Sequence, residues 1–224
     1  MLVHIFTRRY AHHHAMLIVF LASALWGILW MPMRYTESFG LSGLWVVSIF
    51  HLLPACAICP FVMRAYIADR QHWFVTALAG GSMGVGFVLY GLGLVVASVT
   101  KTTVLFYLTP VWATLFAYVL LSERFGFGRW LAIVGGVTGC LLVMRVNPLA
   151  FGYDNADLLG LIAGMAWAAG SVVIRRYPKA DFLHITFMQY LIGGLLAGGA
   201  AIVMGDAIPE ISHVLAALPI AFLA

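Results

Sequence analysis

Residues 16–34 read MLIVFLASALWGILWMPMR, a stretch that is apolar except for Ser23 and the final Arg34. A helix rises about 1.5 Å per residue, so this stretch is long enough to cross the ~30 Å hydrocarbon core of a bilayer. Six further stretches of the same kind follow, at residues 43–63, 73–95, 98–121, 129–145, 158–174 and 184–204. An eighth, at residues 212–224, is shorter than a full span.

The composition excludes a water-soluble domain, since 63% of the residues are hydrophobic and only 9% are charged. In lipid every backbone polar group needs an internal partner, so a chain can cross only as helices or as a closed barrel. Continuous apolar runs indicate helices, whereas barrel strands alternate polar and apolar residues. We therefore expect an all-α integral membrane protein, with only short linkers between its spans.

The basic residues predict the orientation. With residues 1–15 as a cytoplasmic N-terminal tail, nine of the 12 Lys and Arg residues fall inside, while Arg34, Lys101 and Arg145 fall outside. Cytoplasmic loops carry an excess of Lys and Arg. The expected location is the cytoplasmic (inner) membrane, as a multi-pass protein with its N-terminus in the cytoplasm.

An internal repeat relates the first and sixth spans at an offset of 141 residues. The matched pairs are Ala22 with Ala163, Trp26 with Trp167, and Arg34 with Arg175. The two copies begin five spans apart, an odd number, so the second enters the membrane from the opposite side. An inverted repeat of this kind is typical of secondary transporters. We expect a first five-helix repeat at residues 16–146 and an incomplete second repeat at 157–224, within a bundle designed as five plus five helices and truncated here.

Polar and aromatic residues share faces on the repeated spans. Polar groups in hydrocarbon are costly, so such faces point towards other helices or a watery cavity. The faces of both copies therefore predict a central substrate site, and the alternative is simple helix packing with Trp at the membrane interface. The candidate substrate-binding residues are Trp26, Trp30, His51, Thr103, Tyr107, Trp167, Gln189 and Tyr190.

His51 is the only ionisable residue near the middle of a predicted span. An imidazole titrates near neutral pH, so His51 could carry a proton in a proton-coupled cycle. The alternative is a neutral ring bonded to a neighbouring backbone or hydroxyl group. The sequence offers no convincing set of metal ligands, because Cys56 and Cys59 lie inside an apolar span without a second ligand pair.

Four residues are expected to have structural roles. Pro110 removes a backbone donor and predicts a kink within the fourth span. Glu123 is expected to pair with Arg124 or Arg129 at the inner end of that span. Gly135 and Gly139 form a G-x-x-x-G motif in the fifth span, which favours close approach of another helix.

The order and spacing of several motifs resemble the drug/metabolite transporter superfamily, specifically its EamA-like branch. The matching residues are Ala24-Leu25-Trp26-Gly27, Leu108-Thr109-Pro110, Glu123, Trp130, the Gly135-Gly136 pair with Gly139, and Trp167. The resemblance covers residues 16–204. It implies ten helices in two inverted five-helix units, a central cavity, and transport by alternating access. The chain departs from the family pattern by lacking the second-unit equivalents of Pro110 and Glu123.

The leading hypothesis is a secondary transporter that exports or exchanges a small polar metabolite or drug-like molecule. The alternatives are a truncated, non-transporting membrane protein and an intramembrane enzyme. An enzyme is disfavoured, because His51 has no acidic partner in any predicted span. The expected partners are the lipid bilayer and a small-molecule substrate, with a homodimer left open. Neither a nucleic acid, nor a cofactor, nor a metal is expected.

Overall fold

The computed structural model describes residues 2–66, 73–143 and 158–215. Predictions about the end of the fifth span, Arg145 and most of the last short stretch lie outside these residues. The helices within the described ranges are α1 (Leu2–Ile28), α2 (Trp30–Glu37), α3 (Gly43–Tyr66), α4 (Trp73–Val96), α5 (Val99–Phe106), α6 (Thr109–Leu121), α7 (Phe127–Val143), α8 (Leu158–Arg176) and α9 (Phe182–Val203).

Six segments of the described chain are long and apolar enough to cross a membrane. They are Met16–Glu37, Gly43–Met63, Trp73–Val96, Val99–Leu121, Leu158–Arg176 and Phe182–Val203. The predicted fifth span corresponds to the shorter apolar helix α7. The protein is an all-α integral membrane bundle, as the sequence predicted, although its division into two repeats remains a prediction.

The first span is interrupted at Leu29, between α1 and α2. Pro32 explains the break, because a proline has no N–H for the carbonyl four residues earlier, here that of Ile28, and its ring crowds that carbonyl. At the interruption itself, the Leu29 amide donates to the Trp26 carbonyl oxygen, three residues earlier, at 3.3 Å. α1 also runs back through residues 2–15, so the predicted N-terminal tail is helical.

The fourth span is broken just before Pro110, which confirms the predicted kink. α5 ends at Phe106 and α6 begins at Thr109. Pro110 cannot donate to the Phe106 carbonyl, and the Thr109 hydroxyl donates to that oxygen instead. Gly164 of α8 faces this break, where a Cβ would lie 3.0 Å from the Phe106 oxygen. The break therefore fits against a smooth surface on α8.

Helix α4 lies at the centre of the bundle and packs most extensively against α8 and α9. Its glycines make this possible. A Cβ at Gly80 would lie 2.5 Å from the Ile185 carbonyl oxygen, and one at Gly84 would lie 2.6 Å from the Gln189 oxygen. The backbones of α4 and α9 are thus in direct contact, as expected where small residues line a membrane helix interface.

Helix α7 differs, and the close approach predicted from its G-x-x-x-G motif is not seen among the described residues. Among the described residues, no atom lies within 4 Å of a Cβ built at Gly135 or at Gly139. The helix touches the bundle near Cys140, which is buried and lies 4.0 Å through Sγ from the Val104 oxygen. The motif permits close approach, but no partner helix in the described part of the chain uses it.

Helix α9 begins with a side-chain cap. Asp181 is the N-cap residue, and its carboxylate accepts hydrogen bonds from the backbone amides of Leu183 and His184, at 2.7 and 3.2 Å. These bonds, first that from His184, hold the pKa of Asp181 below its usual value. The cap satisfies two of the free amides at the helix start.

Candidate functional site

Five aromatic side chains from four helices meet inside the bundle. This aromatic cluster consists of Trp26 (α1), Phe87 and Tyr90 (α4), Phe106 (α5) and Trp167 (α8). Trp26 lies at its centre: its ring centroid is 5.1 Å from Phe87, 5.8 Å from Tyr90 and 5.6 Å from Trp167. The two tryptophans that the sequence repeat paired are therefore in contact. Both are only partly buried.

Small residues bring the cluster together. At Gly86 of α4 a Cβ would lie 2.9 Å from the Ala163 oxygen and 3.0 Å from the Trp167 nitrogen, so only glycine allows α8 this close. Gly86 precedes Phe87 directly. The close contact between α4 and α8 thus packs the Trp167 ring against the aromatic residues of α4.

A polar edge borders the cluster. The hydroxyl groups of Tyr90 and Thr103 lie 3.4 Å apart, which connects α4 to the predicted substrate residue of α5. Trp30 packs against the same core from α2. Tyr107 lies farther out, 58% exposed, with its ring 6.3 Å from that of Phe106. Of the candidates on the fourth span, Thr103 is therefore at the cluster and Tyr107 is at its rim.

His51 lies beside the cluster and is fully buried, with 0% of its surface exposed. Its ring centroid is 4.5 Å from Phe87 and 5.8 Å from Tyr190. Nδ1 is 2.8 Å from the Val47 carbonyl oxygen and so carries the proton as donor. Nε2 has no hydrogen-bond partner among the described residues. The geometry is that of a neutral imidazole bonded to the backbone, the second of the two alternatives left open by the sequence.

Of the two predicted residues of α9, Tyr190 lies beside His51, with their ring centroids 5.8 Å apart. Gln189 is buried, and Tyr190 packs with Phe187 in a smaller apolar cluster. Gly193 faces the imidazole directly: a Cβ there would lie 2.6 Å from Cδ2 of His51. Tyr190 is thus connected to the aromatic cluster through His51 and Phe87.

The repeat-related arginines occupy opposite ends of the bundle. Arg34 donates from Nε to the Leu94 oxygen (2.9 Å) and from Nη2 to the Ala97 oxygen (3.0 Å), at the end of α4. Arg175 pairs with Glu123 beyond the end of α6, at 3.0 Å. We call these the Arg34 end and the Arg175 end. Since α5 and α6 together run from one end to the other, the arrangement is the one that an inverted repeat requires.

The observed Glu123 pair corrects the sequence prediction. Arg124 and Arg129 were expected as partners because they are near in sequence, but the carboxylate turns towards Arg175 of α8. The Arg129 guanidinium instead lies 4.6 Å from the centre of the Phe125 ring. Glu123 therefore joins α6 to α8, a contact between the two predicted repeats.

The chemistry of the aromatic cluster favours binding over catalysis. Its members are aromatic rings and hydroxyl groups, which can stack on a planar group and donate hydrogen bonds to it. Within the described residues no group of three or more His, Cys, Asp or Glu side chains could hold a metal ion.

Sequence reasoning missed Phe87, Tyr90 and Phe106, although they complete the cluster. A usable signal was present on α4, where Phe87 and Tyr90 stand three residues apart and so share a helix face.

Curated relatives align with most of the chain at low identity. A riboflavin transporter of Rhizobium johnstonii is 25% identical over 80% of this chain and 59% of its own length. The uncharacterized transporter YoaV of Bacillus subtilis is 23% identical, over 81% and 64% respectively. An S-adenosylmethionine uptake transporter of Rickettsia prowazekii is 25% identical, over 55% and 42%. The chain thus spans less than two thirds of the length of these relatives.

No solved structure matches the chain significantly. The EamA-like transporter family matches residues 13–145, from within α1 to the end of α7. This range includes Glu123 and three of the four helices that form the aromatic cluster, namely α1, α4 and α5. This match covers more than half of the chain, and the protein belongs to the EamA-like transporter family.

Proposed function

We propose that this protein is a secondary transporter that carries a small polar metabolite across the cytoplasmic membrane by alternating access. The observation that carries the proposal is the contact between Trp26 and Trp167, at 5.6 Å, because these residues belong to the two copies of the predicted inverted repeat. Transporters built from inverted repeats bind substrate where the repeats meet, and broken helices flank such sites. The breaks at Leu29 and before Pro110 both adjoin residues of the aromatic cluster.

The proposed substrate is a polar molecule with a planar heteroaromatic ring. Trp26 already stacks on Tyr90 with an angle of 12° between the ring planes, so a flat ring could replace one of these partners when the helices part. The names of two relatives support this class, since riboflavin and S-adenosylmethionine both contain such a ring. The Tyr90 and Thr103 hydroxyls would bind polar substituents, with Trp30 and Tyr107 at the rim and Gln189 and Tyr190 beyond His51.

Transport is proposed as export or exchange, as the resemblance to the drug/metabolite transporter superfamily implies. The N-terminus is proposed to lie in the cytoplasm because of the distribution of Lys and Arg. One relative is named as an uptake transporter, so the test also has to measure inward transport. Transport is favoured over catalysis, since the relatives are named as transporters and the aromatic cluster itself contains no acid–base pair.

The test is transport by cells that produce this chain. Uptake and efflux of labelled riboflavin and of S-adenosylmethionine are measured for the wild type and for Trp26→Ala, Trp167→Ala and Trp130→Ala. Trp130 is an exposed tryptophan of α7 outside the cluster and serves as the matched control. We expect loss of transport in the first two variants alone. Normal transport by both would show that the cluster is packing, and membrane insertion without transport by the wild type would support the non-transporting alternative.

Proton coupling through His51 is a separate hypothesis. It requires the buried Nε2 to gain access to water in another conformation, and replacing His51 by Gln removes the titrating group while keeping a polar side chain. Transport by His51→Gln that has lost its dependence on external pH would support the role. Unchanged transport and unchanged pH dependence would reject it.

A further inference from the structure

A cavity of about 210 Å³ with two arginines in its wall lies at the Arg175 end of the bundle, and none of its lining residues belongs to the aromatic cluster. It opens between α6, the start of α7 and α8. Thr114, Phe125, Arg129, Ser171 and Arg175 line it, together with small apolar side chains. The volume equals that of about seven water molecules at ~30 Å³ each, which suits a small charged group.

Two guanidinium groups give the cavity its charge. Arg175 contacts Glu123 through Nη2, and a guanidinium has five N–H donors, so one carboxylate contact leaves donors for a second anion. Arg129 packs on the Phe125 ring, which fixes the position of its charge without neutralising it. With Glu123 counted, the site keeps an excess of one positive charge. Paired arginines are well suited to the oxygens of a phosphate group.

The two hydroxyl groups of the cavity can accept hydrogen bonds, whereas the guanidinium groups only donate them. Thr114 donates its proton to the Pro110 oxygen (2.8 Å) and Ser171 donates to the Trp167 oxygen (3.0 Å). Each hydroxyl oxygen therefore faces the cavity as an acceptor, which can bind a hydroxyl group of a ligand. A phosphate carrying a short polyol would satisfy both the arginines and these oxygens.

A second, open cavity of about 530 Å³ shares Arg175 and is lined by Leu120, Leu121, Ser122, Glu123 and Arg176. Two large apolar side chains at this end of the bundle are exposed: Leu120 of α6 is 64% exposed, and Phe127 at the start of α7 is 82% exposed. Acyl chains can lie along such apolar side chains while a charged headgroup enters the cavity between the arginines, and basic pockets between membrane helices are known sites for acidic headgroups.

We propose that this cavity binds the headgroup of an anionic phospholipid of the phosphatidylglycerol type, with its phosphate on Arg129 and Arg175 and its glycerol hydroxyls on Thr114 and Ser171. Because α6 belongs to the first predicted repeat and α8 to the second, the bound lipid bridges the two repeats next to the Glu123–Arg175 pair. The proposal is independent of the substrate, since the cavity is separate from the aromatic cluster.

The test is lipid binding by the purified full chain in a neutral detergent, by native mass spectrometry and by the shift of the thermal unfolding midpoint. Phosphatidylglycerol, phosphatidylcholine and glycerol 3-phosphate are added separately. We expect phosphatidylglycerol to bind and stabilise the protein, with an apparent Kd about tenfold below that for phosphatidylcholine, as fits a charge-assisted contact. Equal stabilisation by glycerol 3-phosphate would show that the cavity recognises a free phosphate ester and not a lipid, and would overturn the proposal.

Variants locate the binding. Arg129→Gln should weaken phosphatidylglycerol binding by about tenfold, since it removes one of the two guanidinium groups. Arg124→Gln is the matched control: Arg124 is exposed in the segment just before α7 and lines neither cavity. Equal losses in the two variants would mean diffuse attraction and would overturn the proposal.

A third variant keeps every charge. Ala113 also lines the cavity, so Ala113→Leu fills part of it without changing the arginines. Weaker phosphatidylglycerol binding is expected here as well. Binding at the wild-type level would place the lipid elsewhere and reject the site, whatever the outcome for Arg129→Gln.

Discussion

Helices α4 and α7 are both rich in glycine, yet one forms the centre of the bundle and the other lies at its surface. In α4 the glycines bring carbonyl oxygens of α8 and α9 to positions that a Cβ would occupy. In α7, within the described chain, Gly135 and Gly139 face open space. Glycine spacing thus shows where two backbones can approach, and the facing helix decides whether they do.

The facing helices explain the difference. α9 contributes its own small residues at the contact with α4: Gly193 faces Gly84, with its amide 3.0 Å from the Cβ position there. Contact between two surfaces made of small residues brings the helix backbones together over several turns. The dispersion contacts between the helices then replace those that each helix would make with lipid. α7 has no such matched surface among the described residues.

The largest effect is expected where backbone meets backbone. Gly84→Ala would place a methyl group 2.6 Å from the Gln189 oxygen, so α4 and α9 must separate, at a cost of about 1–3 kcal/mol. Gly135→Ala has no such contact and should be neutral or stabilise α7 by up to about 1 kcal/mol. The thermal midpoints of both variants in detergent give the comparison. Equal destabilisation would mean that α7 is as tightly packed as α4.

A second effect should depend on His51. Gly193→Ala would place its methyl group 2.6 Å from Cδ2 of His51, and the buried ring has no space to move. The cost should again be about 1–3 kcal/mol, but it should fall by about 1 kcal/mol or more when His51 is also changed to Ala. A double-mutant cycle on the unfolding midpoints measures this coupling. Additive effects would show that the two residues are not in the predicted contact.

Arg34 tests the end of α4. Arg34→Met removes two hydrogen bonds to the Leu94 and Ala97 oxygens while keeping most of the apolar stem, and should cost about 1–2 kcal/mol. Arg124→Met, at an exposed position next to α7, should change stability by less than about 0.5 kcal/mol. Chemical denaturation of both variants checks the difference. A loss for Arg124→Met as large as that for Arg34→Met would remove the distinction between the two regions.

The smallest effect concerns the start of α9, the partner of α4. The pKa of Asp181 is lowered by hydrogen bonds to the ionised carboxylate, so this stabilisation is present above the unfolded pKa, near ~4, and is lost as the pH falls through the lower folded value. Asp181→Asn keeps a capping oxygen and does not titrate. The stability advantage of the wild type over this variant, measured by melting at pH 7, 5 and 3, should shrink as the pH falls. An advantage that is constant with pH would contradict the capping role.

Much of the architecture could be predicted from the sequence because the bilayer imposes strong rules. Apolar length located the spans, and Pro110 located a helix break, since each follows from the local chain alone. Pro32 indicates the break at Leu29 in the same way, but it lies near the end of the predicted first span, and no kink was predicted from it. The symmetry of the repeat paired Trp26 with Trp167 and predicted that their helix faces converge, which is long-range information that local patterns lack.

The rest depended on which surfaces meet. Glu123 has basic neighbours in sequence, yet it pairs with Arg175, about fifty residues later, because the ends of α6 and α8 are adjacent in space. Phe87 and Tyr90 became part of the site only because Gly86 brings α8 to them. Among the described residues, the glycines of α7 have the predicted spacing but no facing helix. In each case the outcome depends on the surface of another helix, which the local sequence pattern does not specify.

The position of α4 has a consequence for biosynthesis. Its main partners, α8 and α9, follow it in the chain, and Gln189 is translated about a hundred residues after Gly84. At a translation rate of about 5–20 residues per second, the nascent α4 waits on the order of 5–20 s before its glycine groove is covered. During that time lipid or an insertion factor has to fill the groove, so the middle of this membrane protein is completed only after α8 and α9 have been synthesised.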